Sequence, residues 1–240
     1  MPPSARVGRI AWFVVALAAV AACDGKTIHL GNGRDGATCA PGQVAANEVL
    51  WIGDSWVLIP GSQRTRLRDL ARMSNAIGQT DDYANAAAPA TTMPMIASQY
   101  AAQEAGANKV KVLLMDGGTW ETIQASAMGG SVSAAVTSAA NAFSDLLAQV
   151  ASDGTVRDVI YFLVPELPGI PGVAMLRPLL QQACAASTGA VRCHFLDLQP
   201  IWANHPDYTA PGTIPVPTDA GGIAIADAIW SLMQERCIAQ

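Results

Sequence analysis

The chain has 240 residues, 51% of them hydrophobic and 14% charged, with a formal net charge of −5. That length carries a domain with a large core, and the acidic balance without any basic run excludes nucleic acid as a partner. No GxxxxGKS or GxGxxG loop occurs, so nucleotide use is unsupported, and without CxxC or paired-histidine spacing neither a metal nor a cofactor is expected.

The chain opens on a leader. Arg6 and Arg9 supply a positive start, and Ile10 to Ala22 an apolar run too short to span a bilayer comfortably. It ends in Val20-Ala21-Ala22-Cys23, which is similar to the lipobox of bacterial lipoproteins. That resemblance implies a signal peptide over 1–22 and lipidation of Cys23; the plainer alternative is an ordinary signal peptide. Both predict export to the cell envelope, the first with a membrane anchor but no spanning helix. Residues 23–45, rich in Gly and polar residues, are predicted to be a flexible tether, with the folded domain over 46–240.

Val49 to Ile52 is a solid apolar run, the pattern of a parallel strand buried on both faces. It runs into Gly53-Asp54-Ser55-Trp56, a tight turn at the carboxyl edge of the sheet, where open α/β folds place their ligands. Ser55 is therefore a candidate nucleophile, and Asp54 is expected to cap the turn through its carboxylate. Ser62 to Ala76 predicts an amphipathic helix with a basic face, Tyr83 to Ala87 a short strand, and Pro94 to Gly106 a helix. Lys109 to Met115 reads as a third strand and Asp116 to Glu121 as the loop after it. A long Ala-rich helix follows over Ser131 to Ala151, then a strand over Val156 to Val164. Gly172 to Ser187 is predicted to be helical, with Pro178 bending it or marking a late start. A fifth strand covers Val191 to Leu198, and the last helix runs from about Thr218 to Arg236. Alternating strands and helices predict a three-layer α/β/α domain whose five parallel strands take the flavodoxin-like order 2-1-3-4-5.

With Cys23 assigned to lipid, Cys39, Cys184, Cys193 and Cys237 remain. In an oxidising compartment they make two disulfides. Three connectivities are possible. The expected one clips Cys184 to Cys193 and ties the domain ends through Cys39 and Cys237.

The Ile52-Gly53-Asp54-Ser55-Trp56 segment resembles the first motif of the SGNH, or GDSL-type, hydrolases. Pro217-Thr218-Asp219-Ala220-Gly221-Gly222, followed by Ile225 to Trp230, resembles that family's last helix. The likeness covers roughly 46–240. It implies ester hydrolysis by acyl transfer, with Ser55 attacking and a C-terminal histidine, three residues after an aspartate, taking its proton. It also implies an oxyanion hole made of the serine N–H, a glycine N–H after the second strand and an asparagine amide after the third.

The remaining motif positions depart from the family. The glycine position falls on Pro89-Ala90-Thr91, and proline has no N–H to donate. The asparagine position falls on Gly118-Thr119-Trp120-Glu121, with Trp120 in place of the amide. Thr213 and Val216 stand where the aspartate and histidine are expected. Among the three histidines, His29 lies in the tether and His194 early in strand five, at the wrong end of the sheet. His205, followed by Pro206 and Asp207, lies beyond that strand's carboxyl end, and Glu121 lies at the same edge; either is a candidate base. Gly53, Asp54, Gly118, Trp56 and Trp120 are expected around the oxyanion and cleft, where an aromatic wall suits sugars or acyl chains.

Two functions follow. One is a serine ester hydrolase acting on acylated envelope, lipid or polysaccharide substrates. The other is a binding or scaffolding lipoprotein of the same fold that has lost catalysis. In both, the expected ligand is an acyl ester or glycan and the expected assembly a monomer.

Overall fold

A computed structural model describes residues 39, 44–106, 109–187, 189, 191–212 and 214–239. The predicted signal peptide, Cys23, His29, most of the tether and Thr213 lie outside the described residues. The unit described spans Thr38–Gln240.

A five-stranded, all-parallel sheet in the order β2-β1-β3-β4-β5 forms the centre. Its strands are β1 (Val49–Ile52), β2 (Ala84–Asn85), β3 (Val112–Met115), β4 (Asp158–Leu163) and β5 (Arg192–Asp197). Every residue of β1, β3 and β4 is buried, which is why their sequences are apolar runs rather than alternating ones. The edge strand β2 is only two residues long and β5 is partly exposed. β2 and β3 are shorter than predicted, although the Ala86 and Lys111 N–H groups, just outside them, still donate to the Trp51 and Glu48 carbonyls.

The helices are α1 (Ser55–Leu58), α2 (Ser62–Met73), α3 (Met93–Glu104), α4 (Thr119–Ala127), α5 (Val132–Asp153), α6 (Val173–Ala186), α7 (Gln199–Trp202) and α8 (Asp219–Arg236). α2 packs against α8, while α3, α4 and α6 pack around α5, so helices cover both faces of the sheet. Along α5, Val136, Ala139, Ala140, Phe143, Leu146, Leu147 and Val150 form one buried stripe at helical spacing. The Ser131 hydroxyl accepts the Ala134 N–H at one end, and Gly154 in the left-handed region closes the other. Phe143 meets Tyr161 of β4 at 4.8 Å between ring centroids. Burying one such aromatic contributes roughly 1.5–3 kcal/mol.

Two further readings change. The Asp116 to Glu121 stretch is not all loop, since α4 begins at Thr119, launched by Gly117 and Gly118 at φ +146° and +87°. Pro178 neither starts nor ends α6 but lies inside it. The N–H it lacks would have bonded the Ala174 carbonyl, and Ala174 is exposed, so water can satisfy that oxygen.

Disulfides join Cys39 to Cys237 and Cys184 to Cys193, with Cα–Cα distances of 5.2 and 5.1 Å. They place the domain in an oxidising compartment. Among the described residues no helix is long and apolar enough to cross a membrane.

Candidate active site

The carboxyl edge of β1 is built around Gly53. Its φ of +137° belongs to glycine, and a Cβ there would lie 2.0 Å from Asp116 Oδ1. The space left by the missing side chain lets Asp116, directly after β3, accept the Asp54 N–H at 2.7 Å. The Gln99 amide clamps Gly53 from α3, its oxygen accepting the Gly53 N–H at 2.8 Å and its nitrogen donating to the Gly53 carbonyl at 3.0 Å. The Thr91 hydroxyl donates to the same carbonyl at 3.0 Å. Asp54 accepts the Trp56 N–H at 3.2 Å and so caps α1. Gln63, fully buried, donates to the Trp56 and Val57 carbonyls at 2.8 and 2.6 Å and holds the other end of that short helix.

Ser55 opens α1 and is half-buried. Its Oγ accepts the Ala90 N–H at 3.4 Å, a long bond. This corrects the reading of Pro89 as the position of a lost donor. Ala90, one residue later, takes a left-handed φ of +56° and turns its own N–H toward the serine. The backbone register after β2 decides this, and the side-chain types around it do not.

No candidate base is hydrogen-bonded to Ser55 among the described residues. The His205 ring stacks on Tyr208 at 4.3 Å, with its Nδ1 3.7 Å from Asp207 Oδ1. Glu121, in the first turn of α4, accepts the Met93 N–H at 2.5 Å and caps α3. Its other oxygen, Oε2, is enclosed and has no hydrogen-bond partner among the described residues. His194 lies 2.8 Å from Asp158 Oδ1 at the start of β4, beside Arg192, which makes two bonds to the same carboxylate. Burial pushes the Asp158 carboxyl up, but its bonds to His194 and Arg192 outweigh that and hold it below the usual range.

The aromatic candidates divide. Trp56 is 3% exposed, its indole N–H donates to the Pro215 carbonyl at 3.1 Å, and its ring packs on Trp202 at 5.4 Å. Packing, rather than an open cleft wall, therefore claims it. Trp120 is half-buried in the first turn of α4. Gly118 shapes the turn before it, where a Cβ would press on Leu176 Cδ2 at 3.1 Å.

The electrostatics behind Ser55 are acidic. Asp54 and Asp116 are both buried, and burial raises both carboxyls. Asp116 is pushed furthest, first by burial and then by the charge of Asp54. Burial also raises Glu121. The Tyr161 phenol, raised by burial and by these same carboxyls, stays protonated and donates to the Gly117 carbonyl at 2.6 Å. Among the described residues, no group of three or more His, Cys, Asp or Glu side chains is placed to hold a metal ion.

Gln63, Gln99 and Thr91 position the turn, yet no spacing in the sequence marks them. Asp116, at the end of an apolar strand, is expected from the sequence to hydrogen-bond loop N–H groups in a structural role, and its bond to the Asp54 N–H is of that kind.

No protein-family model matches the chain, and no curated protein matches it. Solved structures do match in fold. An α/β hydrolase enzyme from the metagenome of Lake Arreo, Spain, is 17% identical at a TM-score of 0.61, covering 81% of this chain and 97% of that one. An acetyl xylan esterase is 11% identical at a TM-score of 0.61, covering 77% of this chain and 98% of that one. The acetylxylan esterase Axe2 from Geobacillus stearothermophilus is 14% identical at a TM-score of 0.60, covering 78% and 94%. At these identities the likeness is one of fold: the chain has the three-layer α/β/α architecture of these hydrolases.

Proposed function

We propose that this chain is an exported, lipid-anchored ester hydrolase of the SGNH type, acting through Ser55 on acyl esters of envelope lipids or polysaccharides. One observation carries the reading: the Ala90 N–H points at Ser55 Oγ at the carboxyl edge of a parallel sheet. A backbone N–H beside the nucleophile is where the negative oxygen of a tetrahedral intermediate needs a donor. The fold shared with acetyl xylan esterases supports the substrate class.

In this scheme Ser55 Oγ bonds to the ester carbonyl carbon and its proton passes to solvent, because no side-chain base among the described residues is hydrogen-bonded to it. The carbonyl oxygen takes the negative charge and accepts from Ala90 N–H. Collapse breaks the bond to the alcohol, which leaves with a proton from water, and a second water hydrolyses the acyl-serine. Working without a histidine base costs of order 10⁴ in rate, so turnover is slow. Hydrolysis of p-nitrophenyl acetate is expected to fall to the uncatalysed rate in Ser55→Ala, and a fluorophosphonate to label Ser55. The rate should climb steadily with pH, without the plateau that a titrating histidine produces.

A second reading, a binding or scaffolding protein without catalysis, is favoured by one fact. Both candidate bases are otherwise engaged, His205 with Tyr208 and Glu121 with the Met93 N–H. Equal rates for the unaltered protein and Ser55→Ala, with no labelling, would decide for it.

A further inference from the structure

The turn that carries Ser55 rests on two buried carboxyl groups in contact. Asp54 is 3% exposed and Asp116 1%. Their side chains lie within hydrogen-bonding reach of each other, and Asp116 Oδ1 also accepts the Asp54 N–H at 2.7 Å. Asp116 Oδ2 is enclosed, and no N–H or hydroxyl is hydrogen-bonded to it among the described residues. We propose that the two carboxyls share one proton at neutral pH, carried on Asp116 Oδ2 and donated to Asp54, and that this proton positions the turn presenting Ser55.

Two ionised carboxylates cannot hydrogen-bond to each other, because both only accept. The side-chain donors around the turn are spent elsewhere. Gln99 Nε2 and the Thr91 hydroxyl donate to the Gly53 carbonyl, Gln63 Nε2 to the Trp56 and Val57 carbonyls, and the Tyr161 hydroxyl to the Gly117 carbonyl. No cation compensates the pair either. The other titratable groups that face it are Glu121 of α4 and Tyr161 of β4, and no Lys, Arg or His among the described residues acts on either carboxyl. Burial raises both groups, and the Asp54 charge raises Asp116 further, so a proton is retained in the pair above the ordinary carboxyl range. Asp54 accepts the Trp56 N–H at 3.2 Å, the bond that caps α1, which makes Asp54 the acceptor and Asp116 the donor. Asp54 is then tied to the end of β3 through its backbone and its side chain, and Ser55 follows it directly. Loss of the proton turns that attraction into repulsion between like charges. Only the purpose of the turn, holding a nucleophile, rests on the ester hydrolase reading; the shared proton does not.

The test is infrared spectroscopy of the protein made from the full chain, at neutral pH in H2O and D2O, with single variants subtracted. Wild type is expected to show a protonated-carboxyl C=O band that shifts in D2O and is missing from both Asp116→Asn and Asp54→Asn. In either variant the amide donates the bond that the proton supplied and leaves the other carboxyl ionised. No such band in wild type minus Asp116→Asn overturns the proposal. So does a band that persists in Asp54→Asn, because the proton is then not shared. Positioning is read by amide hydrogen exchange at Asp54 and Ser55. Asp116→Asn, whose Oδ1 accepts and whose amide donates, is expected to exchange like wild type. Asp116→Leu, which does neither, is expected to exchange about tenfold faster or more. Equal exchange in the Leu variant overturns the positioning role. If Asp116→Leu does not fold, wild type and Asp116→Asn are compared as pH rises. Wild type should lose protection relative to the Asn variant as the pair gives up its proton, and parallel behaviour overturns the role. Failure of a fluorophosphonate to label Ser55 sinks the ester hydrolase reading and leaves both of these readouts standing.

Discussion

At the scale of single residues, Asp116 does the most to shape the turn. Its carboxylate supports the Asp54 N–H from a position that only a glycine at 53 leaves open. Because its pKa is raised in the folded state, the penalty for folding with Asp116 is absent below the unfolded value of about 3.9 and grows as pH rises toward the folded value. Asp116→Asn keeps an Oδ1 acceptor and removes the titration. The stability of the Asn variant relative to wild type is therefore expected to increase from acid toward neutral pH, measured by urea unfolding at several pH values. A gap that stays constant with pH would show that Asp116 keeps an ordinary carboxyl. The capping role of Asp54 and the place of Ser55 on the turn after β1 were legible in the sequence, because an apolar run ending in Gly-Asp-Ser marks a strand that breaks into a capped turn. Ala90 was not, since alanine carries no signal for the left-handed region and adopts it here against a cost of roughly 1–2 kcal/mol.

At the scale of elements, α8 shows how packing overrides propensity. Thr218 caps it, its hydroxyl accepting the Gly221 N–H at 3.2 Å, as the sequence predicts. Its first turn holds Gly221 and Gly222, poor helix formers in a position that favours better ones. A Cβ on Gly221 would lie 2.3 Å from the Tyr208 carbonyl, and one on Gly222 2.2 Å from Ser62 Oγ on α2. Propensity alone says that Gly221→Ala stabilises by about 1 kcal/mol. The contact with backbone says that it destabilises by about 1–3 kcal/mol, the usual cost of overpacking. A fall in the denaturation midpoint is the expected outcome, and a rise would mean that the Tyr208 segment yields easily. The same segment carries the His205–Tyr208 stack and packs on Trp202. The missed start of α4 has a related cause, because two glycines in succession read as loop until the helix they launch is seen packed on α5.

At the scale of the whole molecule, the Cys39–Cys237 bond closes a sequence separation of 198 residues, against 9 for Cys184–Cys193. On the chain-entropy account the longer closure contributes roughly 5 kcal/mol and the shorter roughly 3 kcal/mol. Replacing Cys39 and Cys237 together by Ala is expected to cost about 2–5 kcal/mol, and more than the equivalent change at Cys184 and Cys193. Thermal unfolding of the two double variants makes the comparison. An equal or smaller loss for the long closure would mean that the denatured chain already holds its ends close.

The five strands, the long helices between them, the parallel sheet and its 2-1-3-4-5 arrangement were legible in the sequence, whereas α1, α4 and α7 were not. The reason is physical: a strand buried on both faces has to be apolar throughout, and parallel neighbours need a helical crossover between them. Those demands fall on contiguous residues and leave a periodic trace. What surrounds Ser55 was decided only in three dimensions. Its donor comes from 35 positions away, and the Asp116 and Gln99 bonds that hold the turn span 62 and 46. Burial patterns tell each segment which face to hide, but which polar groups then face one another depends on where the segments dock.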